Sequence, residues 1–138
     1  MEEKNKDISI LFVEDEAVFT LAFVKLLKRR FENVYSAENG EKGLKIFLEL
    51  RPTIVFTDIL MPRLNGLDLA ARIKEVSPST PVVLMTAINE DLYIGKAKVV
   101  GIDGYITKPI NEEEFFDLLN RIIDSLASAP VLRLDTRG

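Results

Sequence analysis

The sequence predicts an α/β fold in which a parallel sheet is covered by helices on both sides. Five short apolar runs alternate with five longer segments of helical period, and strict βα alternation requires crossover helices between parallel strands. The first, third and fourth runs are also nearly continuous and rich in Ile and Val, as strands buried on both faces are.

The strands are expected at ISILFV (8–13), VYSA (34–37), TIVFT (53–57), PVVLM (81–85) and GYIT (104–107). In the first helix Val18, Phe19, Ala22, Phe23, Leu26 and Leu27 recur at helical spacing, and KRR closes it with cations suited to a helix C-terminus. Leu44, Phe47 and Leu48 mark a second, shorter helix. A third opens at Asn65, an N-cap with Asp68 after it. The fourth begins near Asn89, with Glu90 and Asp91 in its first turn, and Gly95, Val99 and Val100 give it poor intrinsic propensity. The fifth opens at Asn111, has Glu114 at the reciprocal capping position, and turns Phe115, Leu118, Leu119, Ile122 and Leu126 to the core. Residues 128–138 carry no period and are expected to be a tail or linker. With an N-terminal extension over 1–6, one domain is left over 7–127.

Composition narrows the chemistry. The chain has 138 residues, 47% hydrophobic and 29% charged, an ordinary globular balance. It contains neither Cys nor His, so thiolate chemistry, an imidazole base and the usual ligands of softer metals are all excluded. A net charge of −4 gives no electrostatic case for nucleic acid. No apolar run approaches the roughly 20 residues that span a bilayer, so no membrane association is expected. The start, MEEKNKD, is polar with no signal-peptide core behind it, which makes cytoplasmic residence the expectation.

In open α/β sheets the ligand site lies beyond the carboxyl ends of the strands. Glu14, Asp15 and Glu16 follow the first strand, Asp58 the third, Thr86 the fourth, and Lys108-Pro109 the fifth. Singly, each reads as a turn residue, a cap or a solvated side chain. Together, on a parallel sheet, they gather acids, a hydroxyl and an ammonium at one edge. Asp58 stands out because the apolar stretch Ile59-Leu60-Met61-Pro62 follows it, a poor setting for a solvated turn.

The motifs VEDE, TDILMPRLNG, LMTA and GYITKP, in that order and spacing, resemble the receiver domain of two-component response regulators over roughly residues 7–127. The resemblance implies a flavodoxin-like, doubly wound five-stranded parallel sheet of order 2-1-3-4-5 with five helices. It implies that Asp58 accepts a phosphoryl group from a sensor histidine kinase or phosphotransfer protein. Glu14 and Asp15 then resemble the acidic pair that holds Mg²⁺ with Asp58 and the backbone carbonyl of Leu60, an oxygen-only set suited to this ion. Thr86 and Lys108 resemble the residues that contact the phosphoryl oxygens. Lys108-Pro109 resembles the family's cis pair, and Tyr105 its switch aromatic, which moves as Thr86 is drawn toward the phosphoryl group. The fourth helix, fifth strand and fifth helix form the implied partner or homodimer face.

Two departures matter. Many family members have Asp where Glu14 stands, which is expected to alter Mg²⁺ affinity. Leu60 and Ile88 are apolar at positions that, in the family, border the path of the hydrolytic water, so slow self-dephosphorylation is expected. The competing readings are a degenerate receiver acting as a scaffold, a Mg²⁺ phosphatase with an aspartyl nucleophile, and a flavin carrier. The phosphatase lacks its second acid, since Leu60 stands there, and the carrier lacks a phosphate loop after the first strand. The expected role is a signalling switch, not an enzyme beyond its own phosphorylation and dephosphorylation.

Overall fold

The computed structural model describes residues 3–87 and 91–137, with side chains over 3–87 and 95–127. Ile88, Asn89 and Glu90, and with them the expected start of the fourth helix, lie outside the described residues. Strands and helices alternate as β1 (Asn5–Val13), α1 (Ala17–Lys28), β2 (Phe31–Ala37), α2 (Gly40–Leu50), β3 (Ile54–Asp58), α3 (Gly66–Val76), β4 (Val82–Ala87), α4 (Asp91–Val100), β5 (Gly104–Lys108) and α5 (Glu112–Arg137). The sheet has five strands in the order β2-β1-β3-β4-β5, and β1 pairs in parallel with both β2 and β3, as β3 does with β4. This is the flavodoxin-like order. The chain divides into two compact units, Met1–Thr107 and Lys108–Gly138.

Burial follows strand position. β1 and β3 are internal strands, and Ile10–Val13 and Ile54–Phe56 are fully buried, which is why their sequences run apolar instead of alternating. β2 lies at an edge and buries only Phe31, Val34 and Ala37. Its first half is invisible in the sequence because Glu32 and Asn33 interrupt the apolar pattern. β1 likewise starts ahead of its apolar run. The Asn5 side chain accepts from the N–H groups of Asp7 (2.8 Å) and Ile8 (2.9 Å), a local turn at the register shift between Asn5 and Ser9.

Three of the helices, α2, α3 and α5, begin at an asparagine whose side chain accepts from a backbone N–H of the first turn. Asn39 caps α2 by accepting from Lys42 N–H (2.8 Å), Asn65 caps α3 through Asp68 N–H (2.9 Å), and Asn111 accepts from Glu114 N–H (3.1 Å). α1 turns Phe23 and Leu27 inward, while Val18 is 82% exposed despite its helical spacing. Among the described side chains of α4 only Ala97 is buried. Phe115, Phe116, Leu119 and Ile122 are buried on α5. That helix runs on to Arg137, through residues expected to form a tail. Extending an established helix adds a hydrogen bond per residue and needs no apolar period to mark it. No helix among the described residues is long and apolar enough to cross a membrane.

Two contacts tie the first unit together. Phe12 stacks on Phe23 (centroids 5.8 Å apart) and meets Phe19 and Phe56 at 6.1 and 6.5 Å, joining α1 to β1 and β3. At the start of β4, Lys74 Nζ donates to Thr80 O (2.7 Å) and Asp103 Oδ2 (2.8 Å), and the same carboxylate oxygen accepts from Val82 N–H (2.8 Å). Phe12→Ala is expected to lower the unfolding free energy in urea by about 3–5 kcal/mol. Val18→Ala, on the exposed face of α1, should change it by less than about 0.5 kcal/mol. Equal losses in the two variants would contradict this assignment of the core.

Candidate metal centre

Parallel register sets the site. Val13 pairs with Thr57, so Glu14 and Asp58 are the next residues on adjacent strands. Asp58 in turn pairs with Met85, which puts Thr86 one step further along β4. One carboxylate oxygen from each of Glu14, Asp15 and Asp58 lies within 4.8 Å of the others. Glu14 is 1% exposed and Asp58 8%, whereas Asp15 is exposed.

Glu14 and Asp58 are held by nearby backbone groups. Glu14 N–H donates to Ala37 O (3.0 Å), extending the β1–β2 ladder, and Glu14 Oε2 accepts from Glu16 N–H (3.2 Å). The Thr20 hydroxyl donates to the carbonyls of Glu14 (3.3 Å) and Glu16 (3.1 Å), which braces the turn into α1. Asp58 Oδ1 accepts from Ile59 N–H (2.9 Å). Behind Asp58, Gly66 N–H donates to Ile59 O (2.7 Å), and a Cβ at Gly66 would stand 2.0 Å from Asp58 O. Only glycine lets α3 begin this close to the strand end.

Charges 4.8 Å apart repel by roughly 3 kcal/mol at an effective dielectric of about 20, so three carboxylates at this spacing favour a cation among them. The donors are all oxygens, and the chain has no imidazole or thiolate to draw a softer metal. The residues present therefore fit Mg²⁺. Beside them an open cleft of about 560 Å³ runs past Glu14 and Asp15 between Thr20, Leu21, Ser36 and Ile46. Glu38 and Lys42 form an ion pair at its rim, and hydrogen bonding to Lys42 holds the Glu38 carboxyl below its ordinary range.

The other predicted residues fall as follows. Thr86 is buried on β4, Leu60 is 52% exposed just past Asp58, and Tyr105 is 48% exposed on β5. Lys108 ends β5, its peptide bond to Pro109 is cis, and it opens the second unit. Sequence reasoning passed over Thr20 and Gly66. The Gly66 signal was available in the Asn-Gly step at the start of α3, where a cap residue is followed by one with no side chain.

Crowding of this kind has a measurable consequence. In the presence of a chelator, Asp58→Asn should raise the thermal midpoint by about 4 °C, equivalent to roughly 1 kcal/mol. The gain should vanish at saturating Mg²⁺. A lowered midpoint in chelator would mean that Asp58 is held by attraction and not crowded by like charge.

Comparison with known proteins agrees with the geometry. The family model for the response regulator receiver domain matches residues 10–120. The chain is 30% identical over 114 residues to the chemotaxis protein CheY of Halobacterium salinarum, covering 83% of this chain and 95% of that protein. It is 34% identical to histidine kinase P4 of Formosa agariphila over 89% of this chain, but spans only 9% of that kinase. Among solved structures, the N-terminal domain of an uncharacterized protein from Wolinella succinogenes superposes with a TM-score of 0.83 at 30% identity, covering 88% of this chain and 98% of that one. The chain belongs to the response regulator receiver domain family of two-component signalling.

Proposed function

We propose that the chain is a phosphorylation-dependent switch in which Asp58 accepts a phosphoryl group from the histidine of a sensor kinase or phosphotransfer protein, with Mg²⁺ bound by Glu14, Asp15, Asp58 and the Leu60 carbonyl. The observation that carries this reading is the convergence of three carboxylates, two of them buried, at the carboxyl ends of neighbouring strands. When bound, Mg²⁺ supplies neutralising charge for the acids and the incoming phosphoryl oxygens. An Asp58 carboxylate oxygen attacks phosphorus in line with the leaving imidazole nitrogen. The P–O bond forms as the P–N bond breaks, and the imidazole keeps the electron pair and takes a proton. The Thr86 hydroxyl donates to one phosphoryl oxygen. The role of Lys108, pairing with another, rests on the family motif alone. Drawing Thr86 inward would free space for Tyr105, and the change would pass to a partner or a second copy through the α4, β5 and α5 segments.

Intact-mass spectrometry after incubation with a small phosphodonor tests this directly. The wild type should gain a single phosphoryl group with Mg²⁺ and none with chelator, and Asp58→Asn should gain none in either case. No gain in the wild type would favour a receiver that acts only as a scaffold. Leu60 supplies no polar group to orient a hydrolytic water, so the aspartyl phosphate should be long-lived. Leu60→Asn is expected to shorten its lifetime by about tenfold, less than the roughly hundredfold or more that a fully positioned general base contributes. An unchanged lifetime would discard this explanation.

A further inference from the structure

The loop between β3 and α3, residues 59–65, follows the phosphoacceptor and includes Leu60. It rests on the first turn of α2. A Cβ built on Gly40 would lie 1.8 Å from Leu64 O and 2.7 Å from Leu64 C, far inside contact distance and against backbone atoms that cannot rotate away. The next residue, Glu41, pairs with Arg63 of the loop (3.8 Å), and Arg63 holds a left-handed φ of 72°. Met61 and Leu64 pack against the apolar cluster that contains Phe47 of α2. The turn itself is fixed by Asn39, 7% exposed, through its bond to Lys42 N–H. By contrast, a Cβ on Gly43 in the same helix would meet only side-chain atoms, Val13 Cγ2 at 3.0 Å and Leu69 Cδ2 at 3.4 Å.

We infer that Gly40 is a positioning residue for the metal site: its missing side chain lets the 59–65 loop lie against α2, and so sets where the Leu60 carbonyl stands relative to Asp58. The inference rests on the proposed Mg²⁺ site. It makes α2, which contributes no ligand, a determinant of metal affinity. As the first residue of a capped helix Gly40 would otherwise gain from replacement by Ala, so its cost or benefit reports directly on the loop.

The test is calorimetric titration of Mg²⁺ into the wild type, Gly40→Ala and Gly43→Ala, with thermal melts in chelator alongside. Gly40→Ala should raise the Mg²⁺ Kd about tenfold, in line with the loss of outer support at metal sites. Gly43→Ala, which presses on the core instead, should lower the melting point while leaving Kd within about twofold. If Gly40→Ala does not fold, Asn39→Ala loosens the same turn without adding an atom, and its Kd should still rise at least about twofold. An unchanged Kd in the Gly40 variant, or equal rises in both glycine variants, would overturn the inference. A wild type that binds no Mg²⁺ would instead remove the metal reading on which it rests.

Discussion

The constraint that shapes the site is the sheet register that brings Glu14, Asp15 and Asp58 together, with one carboxylate oxygen from each within 4.8 Å of the others. Their proximity is imposed by strand register. Because Val13 sits opposite Thr57, the residues that follow must emerge side by side, and the fully buried stretches Ile10–Val13 and Ile54–Phe56 behind them leave no slack for a slip. The apolar core thus stabilises the first unit and also holds the acids in a crowded arrangement that a hard cation relieves. That crowding is what the proposed Mg²⁺ site would draw on.

Around this centre the backbone is pinned at close range by small polar and glycine contacts. Thr20 braces the turn after β1, Ile59 N–H fixes one Asp58 oxygen, and Gly66 lets α3 start against the strand end. Such contacts contribute modestly to stability singly, yet each removes a degree of freedom from a carboxylate or from the loop beside it. The described part of α4 is more exposed. Only Ala97 is buried among the described α4 side chains, and Val99 is 89% exposed.

The internal strands and the acids were the most legible parts of the sequence, for a physical reason. An internal parallel strand must be apolar on both faces, so β1, β3 and β4 announce themselves, and an acid such as Asp58 set between two apolar stretches is poorly placed for an ordinary solvated turn. Edge and surface features carried weaker signals. Phe31 was hidden by Glu32 and Asn33, the polar start of β1 by its lack of any apolar pattern, and the continuation of α5 by the loss of period after Ala127. Val18 misled in the opposite direction, since apolar residues also occupy surfaces. Gly40 carries no sequence signal of its contact with Leu64, because a close backbone approach leaves no pattern beyond a glycine.

If Glu14, Asp15 and Asp58 together bind Mg²⁺ as proposed, the folded chain should gain stability from the ion. Thermal unfolding of the wild type across a Mg²⁺ series tests it most directly, because a ligand bound only by the folded state raises stability by RT ln(1 + [L]/Kd). The midpoint should climb with Mg²⁺ along that curve, and the climb should be lost in Glu14→Gln/Asp58→Asn. A wild-type midpoint that stays flat with Mg²⁺, or one that climbs equally in the double variant, would mean that these acids do not bind the ion.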